Sequence, residues 1–303
     1  MSDQLVDAPK SRTGLYAVLA VVVLALIAAV AFFALRGDDG KDTVKIGVVG
    51  ASDPYWETYQ QAAADEGIDV EIIDFADYPQ PNPALTEGDL DLNQFQHIVY
   101  LAGYNVDSGE DLVPIGSTAI YPLGLYSTQH DSVEDIPDGS TVAVPDDESN
   151  LARGLLILQS AGLIELEDGG SIYSTLDDVD EAASRVKVTA LKADLTPTSL
   201  PDVAAAVINN DFVEDAGLKF SDAIAQDDPE DANALPYVNI FAARAEDKDD
   251  ETLQKLVKIF QDTQEVQDGV QEVSGDTAEL VRVPVADLEK SLAQVEEDTR
   301  AQR

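Results

Sequence analysis

The chain has 303 residues and a formal net charge of −41, from 59 acidic against 18 basic side chains. A surface of that sign repels nucleic acid and anionic headgroups, which excludes both as partners of the folded region. Cysteine is absent, so there is no disulfide, thiolate metal site, cysteine nucleophile or lipid-modified N-terminal cysteine.

Leu15 to Leu35 carries no charged side chain over 21 residues. At about 1.5 Å per residue this length crosses a hydrocarbon core about 30 Å thick. Apolar on every face, it reads as a membrane anchor or a signal sequence. Its length exceeds the h-region of a cleaved signal and points to an anchor, while Ala29-Val30-Ala31 offers a small-x-small cleavage site. Lys10 and Arg12 before the span nearly balance Arg36 and Lys41 after it, so the positive-inside signal sets no orientation. The expected layout is a cytoplasmic tail at 1–14, an anchor or signal segment at 15–35, a polar linker at 36–43, and an exported globular unit from 44 onward.

Val44, Ile46, Val48 and Val49 form a first strand closed by Gly50. Asp53-Pro54 predicts a helix start, with Asp53 as N-cap and proline at the first helical position. The helix carries Trp56, Tyr59 and Ala63 and stops at Gly67, and Val70 to Ile73 makes a second strand. Strand, helix and strand in this order imply a parallel sheet. Further strands are predicted at Leu90–Phe95, Leu112–Ile115, Ile120–Tyr126, Thr141–Val144, Val186–Leu191, Val203–Ile208 and Tyr237–Ala242. Leu151 to Ala161 is the clearest helix, with Ser149 as N-cap and Gly162 as its stop. Two amphipathic helices close the chain, one marked by Leu253, Leu256, Val257 and Phe260, the other by Leu288, Leu292 and Val295.

This layout predicts an α/β protein of two lobes. Proline-containing segments at Tyr121-Pro122-Leu123-Gly124 and Pro236-Tyr237-Val238-Asn239 are where the chain changes lobe. The first lobe is then discontinuous, 44–122 with 236–303, and the second is 123–235. A cleft between lobes is the expected binding site.

Four groups of residues are candidates for that site. In Gly88–Leu101 a strand pattern hands over to a helix pattern, with Phe95, Gln96 and His97 at the junction, and strand ends are where α/β folds bind ligands. Asn150 and Arg153 are three apart near a helix start and share a face. A cation there opposes the helix dipole unless an anion is nearby. That anion is either a bound carboxylate or one of the acidic neighbours Asp146, Asp147 and Glu148. Asn209 ends the apolar run Ala204–Ile208, and Asn239 sits within Tyr237–Phe241; a buried amide needs partners from a ligand or from neighbouring backbone. Tyr78, Phe95, Tyr100, Tyr121 and Tyr237 supply either apolar pocket walls, against which a thioether packs well, or ordinary core.

Enzyme signatures are missing: no nucleophile elbow, phosphate-binding glycine loop or zinc-protease helix is present. Asp89, Asp91 and Asn93 imitate the start of a calcium loop, but Gln94 replaces the required glycine and Tyr100 the closing glutamate. Two distant histidines make no zinc centre. No metal or other cofactor is expected.

Taken together, these stretches resemble the NlpA-type methionine-binding lipoproteins of bacterial ABC importers. The resemblance is carried by Asp77-Tyr78 with Pro81-Asn82-Pro83-Ala84-Leu85, and by Gly88-Asp89-Leu90-Asp91 leading to Phe95-Gln96-His97 and Tyr100-Leu101. Tyr121-Pro122, Val142-Ala143-Val144-Pro145, Asn150-Leu151 with Arg153, Ala206-Val207-Ile208-Asn209 and Pro236-Tyr237-Val238-Asn239 follow in the family's order. It covers roughly residues 44 to 275. It implies a type II periplasmic-binding-protein fold, two α/β lobes joined by two crossover strands, closing on L-methionine, D-methionine or a methionine dipeptide. It also implies an ABC permease and its ATPase as partners, and an extracytoplasmic location at the cell membrane. By position, Arg153 would hold the ligand carboxylate, and Asn209 and Asn239 would fix its amino and carboxylate groups. Tyr78, Phe95, His97 and Tyr100 would line the side-chain pocket, with Asn150, Tyr121 and Tyr237 close by.

Two departures stand out. The apolar span takes the place of the family's lipid-modified cysteine, and Asp53-Pro54-Tyr55-Trp56 is bulkier than expected beside a cleft. An anchored receptor of the same fold that is not coupled to transport remains an alternative. So does, more remotely, an amino-acid-processing enzyme with His97 as base beside Asp89 or Asp91.

Overall fold

The computed structural model describes residues 43–231 and 234–302. The expected tail, the apolar span at 15–35 and all but the last residue of the linker lie outside the described residues. Among the described residues no helix is long and apolar enough to cross a membrane.

The first sheet begins with β1 (Val44–Val48), followed by helix α1 (Pro54–Asp65) and β2 (Val70–Asp74). Asp53 is the N-cap position of α1 and proline follows it, although the Asp53 side chain makes no capping bond. A short helix α2 (Pro81–Thr86), absent from the sequence reading, leads to β3 (Leu92–His97), α3 (Ile98–Ser108) and β4 (Val113–Ser117). The apolar run expected as one strand at Ile120–Tyr126 is instead two, β5 (Ala119–Ile120) and β6 (Gly124–Tyr126), because Pro122 lies between them.

Strand β7 (Thr141–Pro145) and helix α4 (Glu148–Ser160) open the second sheet's parallel portion. The N-cap of α4 is Asp147, whose carboxylate accepts from the Asn150 N–H, so the helix starts before the Ser149 cap predicted from sequence. There follow β8 (Lys187–Leu191), a short helix α5 (Thr196–Ser199), β9 (Ala205–Ile208) and β10 (Ala225–Gln226). The chain then returns to the first sheet through β11 (Asn239–Ala243). Tyr237 precedes that strand in a one-turn 3-10 segment, Leu235–Tyr237, instead of belonging to it. The C-terminal part has α6 (Glu251–Asp262), α7 (Gln264–Val273), β12 (Glu279–Leu280) and α8 (Val285–Gln302). Helix α7 is one more than the two expected.

Both five-stranded sheets repeat one plan. In the first the order is β2-β1-β3-β11-β4, and in the second β10-β6-β9-β7-β8. Strand β1 pairs parallel with β2 and β3, as β7 does with β8 and β9. The remaining partners run antiparallel: β11 against β3 and β4, β6 against β9, and β10 against β6. Each sheet is therefore an α/β layer, and the protein is a two-lobed α/β fold.

Apolar clusters cover both faces of the first sheet. One joins Ile46, Val48 and Phe241 to the α1, α6 and α7 side chains, and the other joins Leu90, Ile98 and Ile240 to α8. Trp56, Tyr59, Phe241 and Phe260 are fully buried and meet at ring spacings of 5.3 to 6.4 Å. The bulky Tyr55-Trp56 pair expected near the cleft therefore belongs to this core. Tyr55 packs on α7 at Gly269, where an added Cβ would sit 2.7 Å from the Tyr55 Cβ. The second sheet has its own core around Val142, Val144, Leu155 and Leu158. A last cluster draws Val49, Tyr78 and Phe95 from the first lobe together with Ile208 and Phe212 from the second.

Phe241 reaches the centre of the first core from the strand that also carries Asn239. Phe241→Ala is expected to lower unfolding free energy by about 3–5 kcal/mol, measured by urea denaturation.

Candidate functional site

A parallel strand must end where its chain turns back over the sheet, and the carboxyl ends of both sheets meet at one cavity. Tyr78, Phe95, Gln96, His97, Tyr100, Tyr121, Asn150, Arg153, Asn209, Asn210 and Asn239 line it. Phe95, Gln96 and His97 end β3, and Tyr100 lies in the first turn of α3. Asn150 and Arg153 belong to α4, which follows β7. Asn209 immediately follows β9, and Asn239 begins the antiparallel strand β11.

Every residue predicted for the site lines this cavity except Tyr237, which packs behind it. The Tyr237 ring faces the Arg153 guanidinium at 4.5 Å and the His97 ring edge-on at 5.3 Å. Asn210 lines the cavity without having been singled out, and Gln96, noted at the strand-to-helix junction, had been assigned no place in the pocket. Each sits beside a residue that had been assigned one, and a strand's side chains alternate between faces. Gln96 nevertheless reaches the site because all six residues of β3 are buried, so amides occupy both of its faces.

Arg153 is buried, and its guanidinium is held on three sides. Its Nε donates to Asp227 Oδ2 at 2.5 Å, its Nη2 donates to the Tyr121 carbonyl at 2.8 Å, and Tyr237 covers its face. The sequence left a bound carboxylate or one of Asp146, Asp147 and Glu148 as its anion; among protein groups, Asp227 takes that place from a distant acidic loop. Since α4 starts early, Arg153 lies in its second turn, clear of the most positive end of the helix. Among the described residues Nη1 carries no hydrogen bond.

His97 is the N-cap of α3, its Nδ1 accepting from the Tyr100 N–H at 3.2 Å. That acceptor role places the ring proton on Nε2, which faces Asn150 Oδ1 at 3.4 Å. Asn150 Nδ2 donates to both carboxylate oxygens of Asp147, at 3.0 and 3.1 Å, and Ser149 donates to the same carboxylate. Burial, helped by the nearby Arg153 charge, pushes the His97 pKa down to about 3, so the imidazole is neutral. Burial raises the Asp147 pKa, against the bonds it accepts from Asn150 and Ser149.

One lining amide is incomplete. Asn209 Oδ1 is buried and has no hydrogen-bond partner. A buried acceptor left without a donor costs about 1–3 kcal/mol, so a donor in the cavity is strongly favoured. Asn239 anchors its own strand end, where its carbonyl accepts from the Thr118 N–H and hydroxyl. On the apolar side, the rings of Tyr78, Phe95 and Tyr100 stand 5.7 to 6.1 Å apart. The cavity thus offers a guanidinium N–H, an open amide oxygen and a three-sided aromatic pocket. That set suits a small zwitterion with an apolar side chain. Among the described residues no group of histidine, aspartate and glutamate is arranged to hold a metal ion.

Residues 44–280 match the family model described as NlpA lipoprotein. The chain is similar to the D-methionine-binding lipoprotein MetQ of Escherichia coli K12, 43% identical over 232 residues, covering 74% of this chain and 84% of that protein. Among solved structures it is similar to a nutrient binding protein from Burkholderia cenocepacia bound to methionine, with 38% identity and a TM-score of 0.73, covering 78% and 99% of the two chains. Protein PG110 from Staphylococcus aureus superimposes with a TM-score of 0.79 at 34% identity, covering 84% of this chain and all of that one.

A histidine buried neutral stabilises the fold above its unfolded pKa of about 6.5, and loses that contribution as pH falls toward the folded value. The advantage of the wild type over His97→Gln in unfolding free energy is expected to shrink by about 1–2 kcal/mol between pH 7.5 and 5. Paired denaturation curves measure it, and the His97 imidazole resonances should not titrate over that range.

Proposed function

The chain belongs to the NlpA lipoprotein family, and from that premise we propose that it is the solute-binding protein of an ABC importer that captures methionine between its lobes. It is a binding protein and not an enzyme, in line with the binding names of its relatives. The lobes are taken as 44–122 with 236–303, and 123–235, in a type II periplasmic-binding-protein arrangement. The two segments joining them act as the hinge. An ABC permease and its ATPase are the partners that receive the ligand. The globular unit works on the extracytoplasmic side, held at the membrane through residues 15–35.

The observation that carries this reading is that Arg153, whose Nη1 has no hydrogen bond among the described residues, and Asn209, whose Oδ1 is unpartnered, line the same cavity. A guanidinium N–H pairs with a carboxylate, and a lone amide oxygen takes an ammonium. Those are the two ends of an α-amino acid. Asn239 and Asn150 complete the polar half of the site. Tyr78, Phe95 and Tyr100 enclose the side chain, where a flexible, polarisable thioether makes favourable sulfur–aromatic contacts. Neutral His97 contributes a contact and an N–H donor without adding charge. A ligand enclosed this way is reached only when the lobes part, and it favours the closed form by touching both lobes at once.

Titration calorimetry with L-methionine, D-methionine and Gly-Met, on protein freed of any ligand carried through purification, is expected to show saturable binding of at least one. No heat from any of the three would overturn the reading. Arg153→Ala should weaken binding at least about thirtyfold, whereas Tyr59→Ala, in the core of the first lobe, should leave the affinity of the folded fraction within about twofold.

A further inference from the structure

Tyr78 is the aromatic wall most exposed to the consequences of lobe movement. It comes from the loop after β2, yet its strongest contacts lie in the second lobe. Its hydroxyl meets Asp211 Oδ2 at 2.6 Å, and its ring meets Phe212 at 5.2 Å. Both residues belong to the one-turn 3-10 segment Asn210–Phe212 that follows Asn209. Tyr78 also stands between the cavity and a wider groove bordered by α3 and the start of α4. It is therefore placed as a lid over the cavity, gripped by a single turn of the opposite lobe.

Asp211 does not line the cavity, so its role is to hold Tyr78 and not the ligand. Its other oxygen accepts from Asn210 Nδ2 at 2.7 Å, which ties the clasp to a cavity residue. We propose that Asp211 is a positioning residue of the cleft, clasping Tyr78 only in the closed form, and that closure carries a proton from solvent onto the half-buried carboxyls of Asp211 and Asp53. The proposal rests on the reading of the protein as a two-lobed amino-acid receptor.

The charges around this pair all act in one direction. Asp211 faces Tyr78 from the loop after β2, Asp53 from the loop after β1, Tyr55 from α1 and Tyr121 from the segment between β5 and β6. Asp53 in turn faces Glu214 and Asp74, and bonds to the Tyr55 hydroxyl. Burial, with Asp53 adding repulsion, lifts the Asp211 pKa to about 7 against the opposing pull of Tyr78 and Asn210. Burial, with Glu214 adding repulsion, lifts Asp53 to about 6. Two carboxyls that repel each other titrate as a pair. With the lobes apart, hydrated carboxyls return to about 4. Between about pH 4 and 7 the closed form then holds more protons than the open one. Closure through this pair is favoured as pH falls and loses that support as pH rises through 7.

His97 works against it. Its imidazole is ordinary when hydrated and has its pKa pushed down in the closed cleft, so closing below about pH 6.5 expels a proton from it. The carboxyl pair and His97 offset one another, and the clasp keeps capture effective in mildly acidic surroundings. Asp211 is therefore tested by difference.

Methionine binding is measured by calorimetry at pH 5.5 and 7.5, in buffers of unlike ionisation heat, for the wild type, D211N, D211A and Y78F. D211N keeps an acceptor for Tyr78 but cannot titrate. It is expected to bind near wild-type strength at pH 7.5, and to lose about tenfold relative to the wild type at pH 5.5, with fewer protons taken up on binding. D211A and Y78F are expected to weaken binding at both pH values, with Asn rescuing the Ala defect at pH 7.5. An unchanged ratio between wild type and D211N, with equal proton counts, overturns the proton linkage. Wild-type binding by both D211A and Y78F overturns the clasp. If the wild type binds no methionine at either pH, the receptor reading fails and the clasp with it, whereas normal binding with an unchanged ratio overturns the proton linkage alone. With methionine saturating, the stability of the wild type relative to D211N should fall as pH rises from 5.5 to 7.5, and parallel curves overturn the proton linkage.

Discussion

A guanidinium buried between two lobes must be paired, and how Arg153 is paired organises much of this protein. Removing such a charge from water costs several kcal/mol, and only close hydrogen-bonded partners repay it. Arg153 finds them in the two stretches of chain that join the sheets. The Tyr121 carbonyl lies between β5 and β6, while Asp227 and Tyr237 lie between β10 and β11. Asp227 also accepts from the Leu123 N–H, so one carboxylate holds the guanidinium and one joining segment together. Arg153 is thereby braced against both joining segments. Its Nε and Nη2 are bonded in that bracing, and Nη1 carries no hydrogen bond among the described residues.

A second chain of bonds joins the two sheets beside the first. It runs from the α3 backbone through His97 and Asn150 to Asp147, the cap of α4. The His97 ring caps one helix while its neutral N–H faces the other lobe, so a charged imidazole would break the pattern. Arg153 is close enough to oppose that charge, and burial opposes it further. The cleft therefore keeps a single formal cation among its lining residues, in a protein otherwise dominated by negative charge. A zwitterion meets little penalty from the net charge of −41, because its own charges are satisfied locally.

Local patterning carried the elements that hold the site. Alternation and proline-capped helix starts located β1, α1, β2, β7, α4 and β9, and the strand-to-helix handover at His97 lies where the apolar spacing changes. The misses have physical causes. Ser149 and Asp147 are both good caps, and only the observed bond to the Asn150 N–H distinguishes them. Helix α7 has Gly269 at its centre, a residue that weakens helical patterning and is explained only by its contact with Tyr55. Tyr237 looked like part of a strand because its neighbours are apolar, but Pro236 turns the chain before the ladder begins. Gln96 was assigned no place in the pocket because sequence alone does not reveal that both faces of β3 are covered; Asn82, Asn93 and Gln96 satisfy one another there.

By itself the sequence determined the alternation of strands and helices, the two-lobed α/β class and the small set of polar residues at strand ends, since these follow from short-range periodicity and capping chemistry. It also carried the family resemblance, because motif order is a property of the chain. Tertiary structure alone decided partners. Asp227 lies 74 residues from Arg153, and Asp211 lies 133 residues from Tyr78. In a chain with 59 acidic side chains, no spacing rule selects those two. Folding chose them because the connections between the sheets and the turn after β9 bring them within hydrogen-bond distance of Arg153 and Tyr78.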